Sequence, residues 1–304
     1  MIAFVFPGQG SQYVGMGKSL YERQKEVFEK ANNVLNFEIA KLCFEGPENE
    51  LNKTENTQPA ILTVSYALLK EIKSLEIKPS FLAGHSLGEY TACLAGEVFS
   101  FEDALRIVRK RGQLMQSAQP EGKGSMAAVI GLDEETLKSI CESIDGFYVD
   151  LANLNCPGQI VISGEAQGVA KASEIAKQKG AKKVVPLQVS IPSHCKLMKD
   201  AAEKFSEFLK DFKFNDSKIP IVNNVDASER INAQEIMDAL IRQLYSPVRW
   251  HDCVKYMISK GVNTFIEIGP GRILSGLIKR INGNVKTFNV ENLEDLEKLR
   301  EELK

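Results

Sequence analysis

The segment FLAGHSLGEY, residues Phe81–Tyr90, constrains the fold of this chain more than any other stretch. It contains the pattern G-x-S-x-G, in which Ser86 has a glycine two residues to either side. This pattern is typical of a tight strand-to-helix turn that exposes the serine and aims the next backbone N–H groups at an oxyanion. A strand, Ser80–Ala83, is predicted before it and a helix, Glu89–Leu94, after it. So short a pattern also occurs by chance in loops, but the flanking elements favour the turn.

Strand and helix patterns alternate on either side of this turn, which predicts a mainly parallel sheet covered by helices on both faces. The apolar run Ile2–Phe6 ends at Pro-Gly and predicts a buried strand. Gln58–Leu75 has helical periodicity, with Pro59 expected in its first turn. The other predictions here are helices at Tyr21–Phe28, Phe37–Leu42, Phe101–Ala118, Leu197–Phe212, Ala233–Leu244 and Trp250–Lys260, strands at Ile219–Asn223 and Thr264–Ile268, and a solvated helix at the charge-rich C-terminal end.

The residues between the turn and the C-terminal third follow a different order, β-α-β-β-α-β, which is typical of a ferredoxin-like unit. Its six elements are Met126–Leu132, Glu134–Ile144 with Asp133 as cap, Tyr148–Asn153, Gln159–Ser163, Gln167–Lys179 closed by Gly180, and Lys182–Val189. The sequence therefore predicts an α/β fold in two parts: a parallel-sheet core at 1–124 and 193–304, and an inserted small domain at 125–192.

The composition indicates a soluble globular protein. Of the 304 residues 43% are hydrophobic and 26% are charged, and a formal net charge of −2 gives no overall attraction to nucleic acid or anionic membrane. No apolar run approaches the roughly 20 residues of a membrane span, and the N-terminus lacks the features of a signal peptide. Six scattered cysteines without a C-x-x-C pair argue against a zinc site or disulfide framework and predict a reducing, cytoplasmic compartment.

A nucleophilic serine needs a base, and the chain has three histidines to supply one. His85 adjoins Ser86 in the turn, so its side chain is expected to point away from the serine. His251 follows Trp250 in a predicted helix and is better explained as a partly buried or surface residue. His194, in IPSHC, follows the serine in the order of α/β-hydrolase-like sites and is favoured as the base over a structural role. No aspartate or glutamate stands out as its orienting partner, which leaves a backbone or amide carbonyl as the alternative.

Two further features have more than one interpretation. The turn PGQGSQ, Pro7–Gln12, follows the first predicted strand and either cradles a phosphate, for which the pattern is weak, or offers a backbone N–H to an oxyanion. Arg111 lies on the helix after the nucleophile turn, where an arginine is usually solvated. If it instead faces the site, its guanidinium suits a carboxylate held by two hydrogen bonds, which would select an acyl group carrying its own acid.

Nine motifs that occur in order along the chain resemble the malonyl-CoA:acyl carrier protein transacylases of bacterial fatty acid synthesis. They extend from about Ile2 to Ile281 and are FPGQGSQ, GHSLGEY, the Arg111-Gly112 pair, GSMAAVIGL, NCPGQIVISG, VSIPSHC, NNVDA, QLYSPVRW and EIGPGRILSG. The resemblance implies an α/β-hydrolase-like core with a ferredoxin-like insertion, in agreement with the order of the predicted elements.

The resemblance also implies a ping-pong reaction. Ser86 takes the malonyl group from malonyl-CoA with His194 as base, and the phosphopantetheine thiol of acyl carrier protein then takes it from the serine. Coenzyme A arrives as part of the substrate, so no cofactor and no metal is expected. The remaining implied roles belong to groups around this pair: the backbone carbonyl of Gln243 orients the histidine, backbone N–H groups of Gln9 and Leu87 form the oxyanion hole, and Arg111 binds the malonyl carboxylate.

The expected partners are malonyl-CoA and an acidic acyl carrier protein, with no nucleic acid, no membrane and a monomeric state. A basic docking surface for the carrier is predicted at Lys182, Lys183, Lys279 and Arg280, with ordinary solvated side chains as the alternative. Two other functions stay open: a serine thioesterase or hydrolase, which passes the acyl group to water, and a malonyl-type acyltransferase of polyketide synthesis. A non-catalytic carrier-binding module is disfavoured because the nucleophile, base and arginine are all present.

Overall fold

Residues 1–120, 122–187 and 191–302 are described by a computed structural model of the chain, and ten strands and thirteen α-helices lie in them. The strands are β1 (Ile2–Phe6), β2 (Phe81–Gly84), β3 (Gly124–Ile130), β4 (Val149–Cys156), β5 (Gln159–Glu165), β6 (Lys183–Pro186), β7 (Ile221–Val222), β8 (Glu229–Arg230), β9 (Thr264–Ile268) and β10 (Lys286–Val290). The helices are α1 (Tyr21–Leu35), α2 (Ile39–Glu45), α3 (Glu48–Leu51), α4 (Thr54–Lys73), α5 (Leu87–Ala95), α6 (Phe101–Ser117), α7 (Glu134–Glu142), α8 (Ala166–Gln178), α9 (Lys199–Leu209), α10 (Ala233–Gln243), α11 (Trp250–Ser259), α12 (Ile273–Ile281) and α13 (Leu293–Glu302).

The larger sheet has the strand order β10-β9-β1-β2-β7-β8 and is parallel except for β8, which pairs antiparallel with β7. Alternate side chains of a strand point to opposite faces, and both faces of this sheet are buried. On β1, Phe4 and Phe6 join the apolar cluster on one face, and Ala3 and Val5 join the cluster on the other. The predicted mixed α/β fold with a mainly parallel sheet is confirmed.

The smaller sheet has the order β4-β5-β3-β6, with all neighbours antiparallel. Helices α7 and α8 bury their apolar residues against one of its faces. The chain order β3-α7-β4-β5-α8-β6 is the predicted one, and Asp133 caps α7 by accepting from the Thr136 N–H at 2.8 Å. The predicted strand Lys182–Val189 is observed at Lys183–Pro186, and its last two positions, 188 and 189, lie outside the described residues.

The carboxyl ends of β1 and β2 lie side by side and bring two loops to one edge of the larger sheet. Phe6 is the register partner of Gly84, and the N–H of His85 donates to Phe6 O at 3.0 Å. The smaller sheet reaches the same region, because Ala152 and Leu154 on β4 exchange backbone hydrogen bonds with Val248. In open sheets of this kind ligands bind at the carboxyl ends of the strands.

Helix α4 begins earlier than predicted. It starts at Thr54, so Pro59 is its sixth residue and not part of its first turn. Lys53 precedes the helix and makes no side-chain cap hydrogen bond, so the sequence has no start signal there. The helix tolerates the missing N–H because its interior is held by packing, as most of its residues from Thr54 to Ile72 are buried.

The C-terminal region contains elements that periodicity did not predict, namely α12 and β10, and its last helix is not simply solvated. Leu296 and Leu299 on α13 are buried against the larger sheet's core. No helix in the described ranges is both long enough and apolar enough to cross a membrane.

Candidate active site

Ser86 lies on a tight turn between β2 and α5, where close packing requires the two flanking glycines. Its backbone has φ 52° and ψ −108°, a left-handed φ that side chains rarely adopt. A side-chain carbon on Gly84 would collide with the main chain of Gly88, and one on Gly88 would collide with the main chain of Phe6. The strained peptide is held by Asn224, whose Oδ1 accepts from the Ser86 N–H at 2.8 Å.

His194 lies beside the serine hydroxyl, with its Nε2 2.8 Å from Ser86 Oγ. Its Nδ1 is 2.8 Å from the backbone carbonyl of Gln243, and its own backbone N–H donates to Leu244 O at 3.0 Å. Gln243 ends α10, where a carbonyl lacks a helical partner and carries part of the negative end of the helix dipole. Because a carbonyl only accepts, the proton belongs on Nδ1, and Nε2 accepts from the serine hydroxyl.

Burial keeps His194 neutral. The residue is 3% exposed, and its burial, together with the nearby Arg111 guanidinium, lowers its pKa to about 3. The hydrogen bond to the Gln243 carbonyl opposes the shift without outweighing it. The imidazole is therefore uncharged at physiological pH, which is the form that accepts a proton.

The other two histidines lie away from the serine hydroxyl. Nε2 of His85 is 2.8 Å from Asn155 Oδ1 on β4, and its ring lies edge-on to Trp250. Burial lowers the pKa of His85 as well. His251 is half-buried on α11 and does not line the cleft around the serine. The geometry leaves His194 as the histidine in contact with the Ser86 hydroxyl.

The backbone N–H groups of Gln9 and Leu87 lie where the loop after β1 meets the start of α5, beside Ser86. A side-chain carbon on Gly8 would collide with the His85 carbonyl, so the loop after β1 packs directly on the nucleophile turn. Leu87 is the first residue of α5, where an N–H has no helical acceptor. Within the described part of the chain neither N–H has a hydrogen-bond partner. Two unpaired donors beside a nucleophile are what an oxyanion requires.

Arg111 is 1% exposed and reaches the same hydroxyl from α6. Its Nη1 donates to Gln58 Oε1 at 2.9 Å, and its Nη2 donates to Gln243 Oε1 at 2.9 Å and to Ser86 Oγ at 3.1 Å. Its guanidinium carbon lies 5.2 Å from the centre of the Tyr90 ring. Nε has no partner among the described residues, and burial lowers the pKa of the guanidinium. A buried guanidinium with an unused donor is suited to an anionic group.

A second layer of polar residues supports this site, and sequence reasoning assigned it no role. Oε2 of Glu89 accepts from the Asn224 N–H at 3.0 Å and from Gln243 Nε2 at 2.7 Å, and burial raises the pKa of Glu89 to about 7. Glu89 and Asn224 belong to the motifs GHSLGEY and NNVDA, where polar residues in largely apolar surroundings were the available signal. Gln58, by contrast, lies in no such motif and looked like an ordinary helix position.

A cleft of ≈ 110 Å³ lies over Ser86, and both sheets line it. Within the described ranges, no three His, Cys, Asp or Glu side chains come together in a way that would hold a metal ion. The residues that line the cleft include Gln9, Arg111 and Met115 from the larger sheet and its helices, and Met126, Asn153 and Leu187 from the smaller sheet and its margin.

The four predicted docking residues are exposed, and three of them lie together. Ile130, at the end of β3, is the register partner of both Lys183 and Gln159, and its carbonyl accepts from the Lys182 N–H. Arg280 Nη1 donates to Gln159 Oε1 at 2.6 Å, which brings α12 to the same edge. Lys279 turns to a different partner, donating to Val285 O at 2.6 Å. In the described residues none of these four cations forms a salt bridge.

Comparison with known proteins agrees with this geometry. Residues 3–293 match the acyl transferase domain family. The chain is 50% identical over 301 residues to a malonyl CoA-acyl carrier protein transacylase of Bacillus subtilis (strain 168), covering 97% of this chain and 95% of that protein. An acyl carrier protein S-malonyltransferase from Vibrio cholerae O1 biovar eltor is 44% identical with a TM-score of 0.95, covering 98% of this chain and 99% of that one.

A further solved structure is a malonyl-transacylase in complex with its type II PKS acyl-carrier protein. It is 44% identical with a TM-score of 0.97, and 99% of each chain is covered. The match to the family extends over nearly the whole chain. The sequence identity of 50% to the Bacillus subtilis protein is high enough to show a shared family and not only a shared fold. The chain therefore belongs to the acyl transferase family and, within it, to the malonyl CoA-acyl carrier protein transacylases.

Proposed function

We propose that this protein moves the malonyl group of malonyl-CoA to the phosphopantetheine thiol of acyl carrier protein and so supplies the extender unit of fatty acid synthesis. One observation carries the proposal: Ser86 Oγ lies 2.8 Å from Nε2 of His194 and 3.1 Å from Nη2 of Arg111. A nucleophile, its base and a carboxylate-binding cation meet at one atom. The named activity of the relatives supports the same reaction.

In the first half-reaction Ser86 Oγ attacks the thioester carbon of malonyl-CoA while His194 Nε2 takes the hydroxyl proton. The carbonyl oxygen becomes an oxyanion and accepts hydrogen bonds from the N–H groups of Gln9 and Leu87. The C–S bond then breaks, and the coenzyme A thiolate takes the proton back from the imidazole. The malonyl group is left as an ester on the serine.

In the second half-reaction the phosphopantetheine thiol of the carrier attacks the ester carbon. His194 takes the thiol proton and returns it to Ser86 as the C–O bond breaks, which restores the free hydroxyl. The backbone carbonyl of Gln243 orients the imidazole in both halves and stabilises the transient imidazolium. Coenzyme A enters as part of the substrate and leaves as the free thiol, so the proposed steps need no cofactor and no metal.

Arg111 selects for malonyl over acyl groups that lack a carboxylate. Its unused Nε and its Nη2 lie on one edge of the guanidinium and match the two oxygens of a carboxylate. An acetyl group would leave the buried Nε–H of this guanidinium without an acceptor, which costs free energy. The selection is thus made by the same side chain that contacts the nucleophile.

We also propose that the larger sheet with its helices, 1–124 and 193–304, is an α/β-hydrolase-like core, and that 125–192 is a ferredoxin-like insertion. The order of strands in each sheet supports this division. The six cysteines are free and buried, which suits a reducing cytoplasm. A monomer is sufficient for the proposed reaction, because every proposed catalytic group comes from one chain.

The carrier is proposed to dock on the basic surface formed by Lys182, Lys183 and Arg280, with Lys279 at its side. Ile130, which anchors this surface, is four residues along β3 from Met126 in the cleft wall, or about 13 Å at strand spacing. A carrier held there by its acidic surface would present its flexible arm to the cleft.

A polyketide carrier is a second candidate acceptor, because a relative 44% identical to this chain is in complex with a type II PKS acyl-carrier protein. Transfer rates to a fatty-acid carrier and to a polyketide carrier, measured side by side, separate the two. Release of free malonate from malonyl-CoA without any carrier, at a rate matching transfer, would instead indicate a thioesterase.

The proposal is tested on the covalent intermediate. Wild-type protein incubated with malonyl-CoA is expected to gain the mass of one malonyl group, and Ser86→Ala is expected to gain none. Ser193, a second serine in the cleft, provides the matched control, because Ser193→Ala should still be acylated. A malonyl adduct on Ser86→Ala would reject Ser86 as the nucleophile. So would a result in which Ser193→Ala is the only variant without the adduct.

A further inference from the structure

Glu89 is a buried carboxyl that takes no part in the proposed bond-making steps. It lies three residues after Ser86 in the first turn of α5 and is 1% exposed. Its Oε2 accepts two hydrogen bonds, from the Asn224 N–H at 3.0 Å and from Gln243 Nε2 at 2.7 Å. Burying a carboxyl costs free energy unless it is hydrogen-bonded, so these two contacts stabilise it in the interior.

Both partners of Glu89 hold the peptide of the nucleophile. Asn224 Oδ1 accepts from the Ser86 N–H at 2.8 Å, and Asn224 Nδ2 donates to Gly84 O at 2.7 Å. Gln243 Nε2 donates to Ser86 O at 3.1 Å as well as to Glu89. One carboxyl oxygen thus holds the backbone N–H of Asn224 and the side-chain amide of Gln243. The side-chain amides of these two residues bind the backbone N–H and C=O of Ser86, a residue with an unfavourable φ.

The Gln243 amide also faces Arg111, and this contact depends on which way the amide is turned. In the observed orientation Nε2 faces Glu89 and Oε1 accepts from Arg111 Nη2 at 2.9 Å. The reverse orientation would place an amide N–H against the guanidinium and an amide oxygen against the carboxyl oxygen. Both contacts would be repulsive, because a guanidinium has no acceptor and Glu89 Oε2 already acts as an acceptor, here from the Asn224 N–H.

We propose that Glu89 is a positioning residue that sets the orientation of the Gln243 amide, and through it the position of Arg111 for the substrate carboxylate. This inference rests on the proposed malonyl transfer. Glu89 does not touch Arg111 through a direct ion pair, so its influence on the guanidinium passes through the amide. Loss of the Glu89 oxygen would remove the shortest hydrogen bond of Gln243 Nε2, 2.7 Å against 3.1 Å to Ser86 O, and the acceptor of the arginine would be held less firmly.

The test compares thioesters with and without a carboxylate. The readout is the selectivity ratio, kcat/KM for malonyl-CoA divided by kcat/KM for acetyl-CoA, in transfer to carrier protein. Glu89→Ala is expected to lower this ratio by at least about tenfold, the effect of one charge-assisted hydrogen bond. Glu89→Gln keeps an oxygen at the same reach and is expected to restore the ratio to within about threefold of wild type.

A second pair of variants guards against simple loss of folding. Glu89→Asp keeps the charge but shortens the reach by one methylene, so it is expected to lower the ratio as Glu89→Ala does. Glu267 is a matched control: it is also buried, and it accepts from the N–H groups of Leu274 and Ser275 at the start of α12. Glu267→Gln is expected to leave the selectivity ratio unchanged, whatever it does to the thermal midpoint.

The outcomes separate the two proposals. A wild-type protein that acquires no malonyl group rejects the proposed function itself. A wild type that is active, with a folded Glu89→Ala or Glu89→Asp that keeps the wild-type ratio, rejects only the positioning role. A Glu89→Gln variant as unselective as Glu89→Ala rejects it too, because the effect would then come from the charge and not from the oxygen's position.

Discussion

The two sheets contribute to the cleft in different ways. The larger sheet is covered by apolar clusters on both faces, and its strand ends carry Ser86 and the loop of Gln9. The smaller sheet has its two helices on one face, and on the other a small apolar cluster that includes Met126, a residue of the cleft wall. One sheet is packed on both faces by helices, and the other turns its second face toward the cleft.

This difference predicts that the two sheets have different roles. A left-handed Ser86 backbone and a buried guanidinium are costly arrangements, and a sheet packed on both faces provides the rigidity to maintain them. The smaller sheet supplies a wall and an exposed edge with Lys182 and Lys183, which suits contact with large partners. Changes in the larger sheet should therefore affect chemistry, and changes in the smaller sheet should affect access and docking.

The largest effect is expected for the proposed base, His194. His194→Ala should lower kcat for malonyl transfer by about 100- to 10,000-fold, the usual contribution of a general base. His251→Ala, outside the cleft on α11, is the matched control and should stay within about twofold of wild type. Steady-state transfer assays on both variants measure this, and an active His194→Ala would break the assignment of chemistry to this site.

The next effect concerns selectivity. Arg111→Ala should lower the malonyl-to-acetyl selectivity ratio by about 100-fold, because two charge-assisted hydrogen bonds to the substrate are lost. Arg109 lies on the same helix but pairs with Glu55 and Asn56, so Arg109→Ala should leave the ratio unchanged. Competition between the two thioesters for one carrier gives the ratio directly. An equal loss for both thioesters would mean that Arg111 is structural.

A smaller effect is expected at the edge of the smaller sheet. The double variant Lys182→Glu and Lys183→Glu should raise KM for acyl carrier protein by up to about tenfold at low salt. Its acylation by malonyl-CoA alone should be unchanged. Lys138→Glu with Lys171→Glu, on the helices of the same unit, is the charge-matched control. An equal rise in KM for the control would indicate docking elsewhere. So would a difference in KM between wild type and the Lys182/Lys183 variant that added salt does not reduce.

The smallest effect is a shift in the acid limb of the pH profile for modification of Ser86. With a His194 pKa of about 3, modification of Ser86 by an uncharged serine reagent should not lose rate between pH 7 and pH 5, where an ordinary histidine would become protonated. Arg111→Gln removes a positive charge that lowers this pKa, so its acid limb should move to higher pH. A wild-type rate that falls by half near pH 6.5 would contradict the buried, neutral base.

Sequence patterns predicted the elements around Ser86 well, but they predicted the start of α4 and the edge strand β10 poorly. The glycines around Ser86 constrain the backbone directly, so the turn was readable, and the family resemblance to the malonyl-CoA:acyl carrier protein transacylases is confirmed. The start of α4 was misplaced because Pro59 suggested a first turn and no capping side chain marked the true one. Strand β10 was missed because it is a half-buried edge strand with a weak apolar pattern.

Side-chain contacts between distant segments were beyond reach of the sequence alone. The Gln243 carbonyl became a candidate only through resemblance, because every residue has a carbonyl and none is distinguishable by type. Glu89 and Asn224 meet only after the ends of α5 and β7 are brought together in the fold. Long-range pairs of this kind are set by topology, which local periodicity does not encode.

The acceptor of the His194 ring is a main-chain atom, and this has a genetic consequence. No substitution at position 243 deletes that oxygen, since all twenty amino acids carry it, so a mutational scan would not register it as a third member of a triad. Damage at this codon would report the side-chain amide and its contacts with Arg111 and Glu89. In the proposed mechanism, the role most often given to an acidic residue is therefore protected from point mutation.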